Sequence, residues 1–438
     1  MDPGKLGRYS FIGSSPFLII KTRGTDITIL ENGTNRQIIG NPLDFLGELL
    51  QKYHFEKTLL PVPFTGGAVG YLSYDLCHFV ERLPSRAIDD LQLPECYFGF
   101  YDCGLAFDNL SGKTYAYSTG LPEQNEPARM EKAQRRLDEF ILKIEKVTYG
   151  YQNNTEKGAN AIPLNIHSNF TRDNYLKAVE RARQYIIDGD IFEVNLSQRF
   201  EAEIQITPYE LYRRLRRINP APFASYLNFN EVKVVGASPE RFLRKSGDMV
   251  ETRPIKGTRR RGNTPEEDEK LSKELLSSSK DRAENIMIVD LERNDLGRVC
   301  RYGSVRVSEL TILETFPTVF HLTSTVEGRL NEDKTCIDLL HATFPGGSIT
   351  GAPKVRSMEI IDELEPTRRS VYTGSIGYLG FNGDIDLNIV IRTFLLKGGK
   401  AYFQAGGAVV YDSNPAEEYQ ETLDKVKALF TALENDID

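Results

Sequence analysis

TRDNYLKAVERARQYIIDGDIFEVNLSQRF, residues 171–200, passes from a helix to a strand without interruption. Thr171 is a suitable N-cap, because its hydroxyl can accept one of the unpaired N–H groups of the first turn. Tyr175, Leu176, Val179, Ala182 and Ile186 then recur at helical spacing, and Gly189 supplies the stop. In IFEVNLSQRF the period changes to two, with Phe192, Val194 and Leu196 on one face and Glu193, Asn195 and Ser197 on the other. From about Asn169 onward, helix and strand alternate in this way. Toward the N-terminus the texture differs. Residues 1–147 carry short strand-like runs such as PFLIIKTRG and GGAVGYLSYD, and close on a helical stretch with Leu137, Phe140, Ile141 and Ile144 in register. Between the two lies YGYQNNTEKGANAIPLN, polar and aperiodic. The spacing predicts an N-terminal region at 1–147, a linker at 148–168 and a second region at 169–438.

The 438 residues are 40% hydrophobic and 26% charged, with a formal net charge of −8. That composition suits a globular protein and offers no electrostatic footprint for nucleic acid. No apolar run approaches the roughly 20 residues that span a bilayer, and no signal peptide opens the chain. The five cysteines are scattered and show no zinc spacing, which predicts reduced thiols in a cytoplasmic protein.

Three segments concentrate the chemistry. In TRPIKGTRRRG, 252–262, Lys256 stands among arginines. Nearby positive charge and partial burial would both lower its pKa and free its amine. In KDRAENIMIVDLERNDLGRVC, 280–300, Asp281 and Glu284 share a helix face, with Ile286, Met287 and Leu291 expected to make core contacts. In DSNPAEEYQETLDKVKALFTAL, 412–433, Asn414 and Pro415 open a helix whose Glu418 and Glu421 are again three apart. Tyr419, Leu423, Val426, Phe430 and Leu433 form its apolar stripe. Two such acid pairs suit a magnesium ion held by carboxylates and water. FPGGSITGAPK, 344–354, invites a phosphate-loop reading, but Ala352 and Pro353 break that pattern. A backbone-lined anion site there, or at AGGA, 405–408, stays open.

Together with GRYSFIG (7–13), SPERF (238–242) and IRT (391–393), these motifs resemble, in order and along nearly the whole chain, the chorismate-utilising enzymes. That family includes the synthase components of aminodeoxychorismate synthase and anthranilate synthase. The resemblance implies an α+β fold: two packed antiparallel β-sheets flanked by helices, with the active site in the cleft between them. It also implies that the two regions are halves of one body.

Within the family, position 256 separates the branches. The sequence PIKGT resembles the aminodeoxychorismate synthases, whereas PIAGT would resemble the anthranilate synthases. The resemblance implies that Lys256 attacks C2 of chorismate and that Glu240 protonates the departing C4 hydroxyl. Mg2+ would be held by Glu284 and Glu421, with Asp281 and Glu418 acting through water or as outer support. Arg392 and Tyr372, with the backbone near Gly407, would bind the enolpyruvyl carboxylate, and Thr258 and His321 would line the ring.

Some positions depart from the family pattern. Asp281 stands where a glutamate is common, and Ala408 where a glycine is. Glu193 occupies the place of the lysine that activates water in isochorismate-forming relatives, which argues against water as nucleophile. The start at MDPGKLGRYS reads like one inside a loop of the family, after a segment that helps form the family's tryptophan pocket, so tryptophan binding stays open. The chain has no glutaminase nucleophile loop. Ammonia is therefore expected from a separate glutamine amidotransferase subunit or from solution. Anthranilate synthase component I and a catalytically silent chorismate-binding subunit are the competing readings.

Overall fold

The computed structural model describes residues 6–31, 33–56, 60–150 and 165–434. Its strands pair antiparallel, helices accompany them, and the fold is α+β. The chain forms two compact units. The first comprises Met1–Tyr71, Pro94–Ile162 and Gly377–Asp386, and the second Leu72–Leu93, Pro163–Ile376 and Leu387–Asp438. Two segments therefore depart from a purely linear division. Leu72–Leu93 is tied into the second unit, where Ile88 bridges Thr367 and the Arg86 N–H donates to Asp362 at 2.8 Å. Gly377–Asp386 belongs to the first, where Phe381 packs among Phe17, Tyr53 and Phe100. Most of the expected linker lies outside the described residues. Its end, Ile166–Ser168, is a short strand paired with Phe200–Ala202.

The second unit carries every candidate site residue. One of its sheets runs Phe223–Asn228, Lys233–Ser238, Thr393–Lys397, Lys400–Val409, Glu193–Glu203, Gly351–Ala352. Helices Pro208–Ile218 and Pro415–Leu433 cover one face of it, burying Leu211, Leu215, Val426 and Leu429 against Phe394 and Phe403. Burying each such side chain contributes about 1.5–3 kcal/mol. The unit's other strands run Ile255–Arg260, Val319–Arg329, Met249–Arg253, Arg241–Ser246, and Arg306–Thr315 also pairs with Val319–Arg329.

The expected caps are in place. Thr171 accepts from the Asn174 N–H at 3.3 Å, and the helix Arg172–Ile187 ends just before Gly189, at φ 82°. Asn414 caps Pro415–Leu433 through the Ala416 and Glu417 N–H groups. Two details differ from the sequence reading. The strand begins at Glu193, leaving Phe192 exposed, and its polar residues Glu193 and Ser197 are buried. In helix Ser279–Gly297, Ile286 is exposed, and the buried face carries Asn285, Ile288, Val289, Glu292, Asp295 and Leu296. Apolar periodicity fails here because this helix turns a partly acidic face inward.

Candidate active site

Lys256 and Glu193 bring the two sheets of the second unit together. The Lys256 ammonium meets Glu193 Oε1 at 2.6 Å, with the two residues only 8% and 0% exposed. The lysine's backbone depends on Gly257, whose φ is +87°. A Cβ there would lie 3.0 Å from the Cβ of Asp281, so the glycine supplies both a left-handed conformation and the close approach of helix Ser279–Gly297.

The expected lowering of the Lys256 pKa is corrected by this arrangement. Burial does act downward, but Glu193 and Glu284 outweigh it and hold the lysine above its ordinary value. The neighbouring arginines are each engaged by an acid. Arg253 meets Glu314 at 2.6 Å, Arg259 meets Asp281 at 3.0 Å, Arg260 meets Glu267 at 2.5 Å and Arg261 meets Asp268 at 2.5 Å. Spacing along the chain showed the positive charge but not the acids folded against it.

Glu240 is buried, and loss of water pushes its carboxyl up to about 7, although the Ile255 N–H donates to it at 3.3 Å. Near neutral pH it can thus hold a proton for delivery. His321 sits opposite Thr258 in the strand register, and its Nδ1 lies 2.8 Å from the Thr258 hydroxyl. Burial, and then the charge of Arg392, lower the imidazole to about 3, so it is neutral. Arg392 has φ +50° and feels the charge of Glu240. Tyr372 is raised above the ordinary phenol range by burial and makes a backbone hydrogen bond with Gly406. Next to it in sequence, Gly407 faces Leu196 across the ladder. A Cβ on Gly407 would meet Glu418 Oε2 at 2.9 Å and Glu421 Oε1 at 3.3 Å, so this glycine forms the floor beneath the second acid pair.

The acids divide into three groups. Glu284 is raised to about 7, by burial first, despite Lys256 and Lys280. Glu418 is also raised, by burial and then by Glu421, although the Ser413 hydroxyl donates to its Oε1 at 2.7 Å. Its Oε2 is buried and has no hydrogen-bond partner among the described residues. Glu421 is lowered, because Lys425 at 2.6 Å outweighs burial. Lys280 acts on Glu284, Glu418 and Glu421 alike, which links the acids of the two helices electrostatically. Asp281 is turned to Arg259 instead. Among the described residues no three acidic, histidine or cysteine side chains are gathered tightly enough to hold a metal. The oxygen donors and the orphaned Glu418 oxygen nevertheless suit a hard cation such as Mg2+.

A match to the chorismate binding enzyme family covers residues 8–431. The chain belongs to that family. Among its relatives, the anthranilate synthase component 1 of Acetivibrio thermocellus is 44% identical over 435 residues, spanning 98% of this chain and 88% of the relative. The aminodeoxychorismate synthase component 1 of Bacillus subtilis is 41% identical over 438 residues, spanning 99% and 91%. The crystal structure of anthranilate synthase component I from Streptococcus pneumoniae superposes with a TM-score of 0.83 at 36% identity, covering 96% of this chain and 92% of that one.

As a chorismate binding enzyme, the chain has one prominent site group beyond those expected. Glu193 lies 63 positions from its lysine partner, and sequence alone marked it only as a departure from relatives. The glycine-rich loop, by contrast, is structural. Lys354 turns back to the carbonyls of Thr343 and Pro345, at 3.0 and 2.9 Å, and to Asp295. Its ammonium is consumed within the fold, which removes the phosphate-loop reading. No helix among the described residues is long and apolar enough to cross a membrane.

Proposed function

We propose that this chain is the synthase component of an aminodeoxychorismate synthase, converting chorismate and ammonia to 4-amino-4-deoxychorismate on the way to p-aminobenzoate and folate in the cytoplasm. One observation carries the reading. An amine, Lys256, stands where its neighbours are Glu193, Glu284 and Glu240, at the position whose side chain separates PIKGT from PIAGT. With that amine on C2, nitrogen can enter only at C4.

Glu240 supports the departure of the C4 hydroxyl as water, being poised near neutrality to give a proton. Arg392 and Tyr372, with the N–H groups around Gly407, offer donors for the enolpyruvyl carboxylate. Thr258 and neutral His321 offer polar edges to the ring. Glu284 and Glu421 would ligate Mg2+, with Asp281 and Glu418 through water. The ion would supply positive charge for the ring carboxylate. The relatives are each named as a component 1, which supports a separate glutamine amidotransferase subunit as the ammonia source. Anthranilate synthase component I is the second reading, favoured by the 44% relative of that name.

Product identification separates the two. The chain with chorismate, Mg2+ and an ammonium salt is expected to yield a product that becomes p-aminobenzoate only after a lyase is added. Fluorescent anthranilate as the main product, without any lyase, overturns the proposal in favour of the second reading.

A further inference from the structure

A lysine held above its ordinary pKa poses a chemical problem. In water an amine of pKa about 10.4 is neutral in only a few molecules per ten thousand at pH 7, and Lys256 is held higher still. The proton must go to a group in contact with it. Glu240 cannot be that group if it is to hold a proton for the leaving hydroxyl. Glu193 touches the amine at 2.6 Å, is 0% exposed, and has a second oxygen, Oε2, without a partner among the described residues. Its backbone is fixed by pairing with Ala352 and by the Ser357 hydroxyl, which donates to its carbonyl at 3.0 Å. A Cβ on Gly351 would come within 2.2 Å of that same carbonyl, so the strand is closely packed there.

We propose that Glu193 is the catalytic proton acceptor for Lys256, taking the amine's proton as it closes on C2 and returning it when the lysine departs. This rests on the reading of Lys256 as nucleophile. The ammonium gives a proton to the Glu193 carboxylate, and the nitrogen lone pair forms the bond to C2. The two ring double bonds each move one place, and the C4–O bond breaks, the hydroxyl leaving as water with the Glu240 proton. Ammonia then bonds to C4, the double bonds move back and the C2–N bond breaks. The released amine recovers its proton from Glu193, and the new ammonium at C4 gives one to Glu240. The transfer runs along one existing hydrogen bond, and because it removes both charges together it leaves neither one buried and unpaired.

The test follows the adduct, chorismate less one water on the peptide containing Lys256, by rapid quench and mass measurement. The full chain is used with Mg2+ and chorismate but no ammonia, between pH 6 and 9. Wild type, Glu193→Gln and Glu193→Asp are compared. In the wild type the proton stays within the pair. In Glu193→Gln it must leave to solvent, so the rate follows the free-amine fraction. The charged groups that act on the lysine besides Glu193, namely Glu284, Glu240 and Glu421, are present in all three proteins. Glu193 also raises Glu284, so Glu193→Asp, which keeps that charge, is the control for a shift of Glu284.

The Gln variant is expected to be about 10²–10⁴-fold slower at pH 6. Its ratio to wild type should climb about tenfold per pH unit until the lysine titrates. Glu193→Asp, which keeps a carboxylate at shorter reach, should be slower with a flat ratio. A Gln ratio that does not change with pH, a Gln variant as fast as wild type at pH 6, or an Asp ratio that climbs overturns the acceptor role. Absence of a wild-type adduct at every pH overturns the nucleophile reading as well.

Discussion

Glu292 shows how much of this protein's pH behaviour resides in single buried acids. It is 6% exposed, and loss of water pushes it up to about 8, with Thr252 donating to it at 2.7 Å. The folded state therefore binds its proton more tightly than the unfolded chain does. The stability it contributes is fully present below the ordinary glutamate value of about 4.3 and is lost as pH rises through about 8. Glu292→Gln, of the same shape but permanently neutral, is expected to match wild type near pH 4 and to exceed it by at least about 1 kcal/mol at pH 9, since each unit is worth about 1.4 kcal/mol. Denaturant unfolding at the two pH values checks this. An equal effect at both would mean the residue is not titrating in the fold. Lys256 and Glu240 follow the same principle, in that their proton affinity is set by what surrounds them.

At the scale of elements, helices Ser279–Gly297 and Pro415–Leu433 matter through the acids near their N-termini. Ser278 caps the first and Asn414 the second, so each acid pair falls in the opening turns. Lys280 spans the electrostatic gap between them. If Glu284 and Glu421 ligate Mg2+, replacing either with Gln removes a charged ligand while leaving its helix capped. Each variant is expected to need at least about tenfold more Mg2+ for half-maximal turnover of chorismate, with unfolding midpoints near that of wild type. A magnesium titration superimposable on wild type for either variant would remove that residue from the ligand set. Asp281→Asn should have a smaller effect on Mg2+, because its carboxylate is engaged by Arg259.

The whole molecule bears on the source of nitrogen. The sequence holds no glutaminase nucleophile loop, and its five cysteines are free, Cys77, Cys96, Cys103 and Cys300 being buried. Burial raises the thiols of Cys77, Cys96 and Cys103, which removes thiolate reactivity rather than creating it. The purified chain is expected to turn over chorismate with ammonium salts and to show no turnover with glutamine. Addition of a glutamine amidotransferase subunit should make glutamine a substrate. Glutamine-dependent product from the chain alone would refute the proposed division of labour.

Local signals were legible in the residues. Thr171, Gly189, Asn414 and Pro415 mark helix ends because capping is a matter of a few neighbouring atoms. The ordered motifs from GRYSFIG to QAGGAVVYDSNPAEEYQET marked the family and hence the α+β fold. Position 256 showed an amine, but not its state. That state was decided by Glu193 and Glu284, which other elements bring against it. The polar faces of strand Glu193–Glu203 and helix Ser279–Gly297 were misjudged for the same reason. Periodicity reports which residues share a face, whereas burial of that face depends on what the rest of the chain packs against it. Charge, proton affinity and the pairing of residues 63 positions apart are long-range quantities, and only the tertiary structure assigns them.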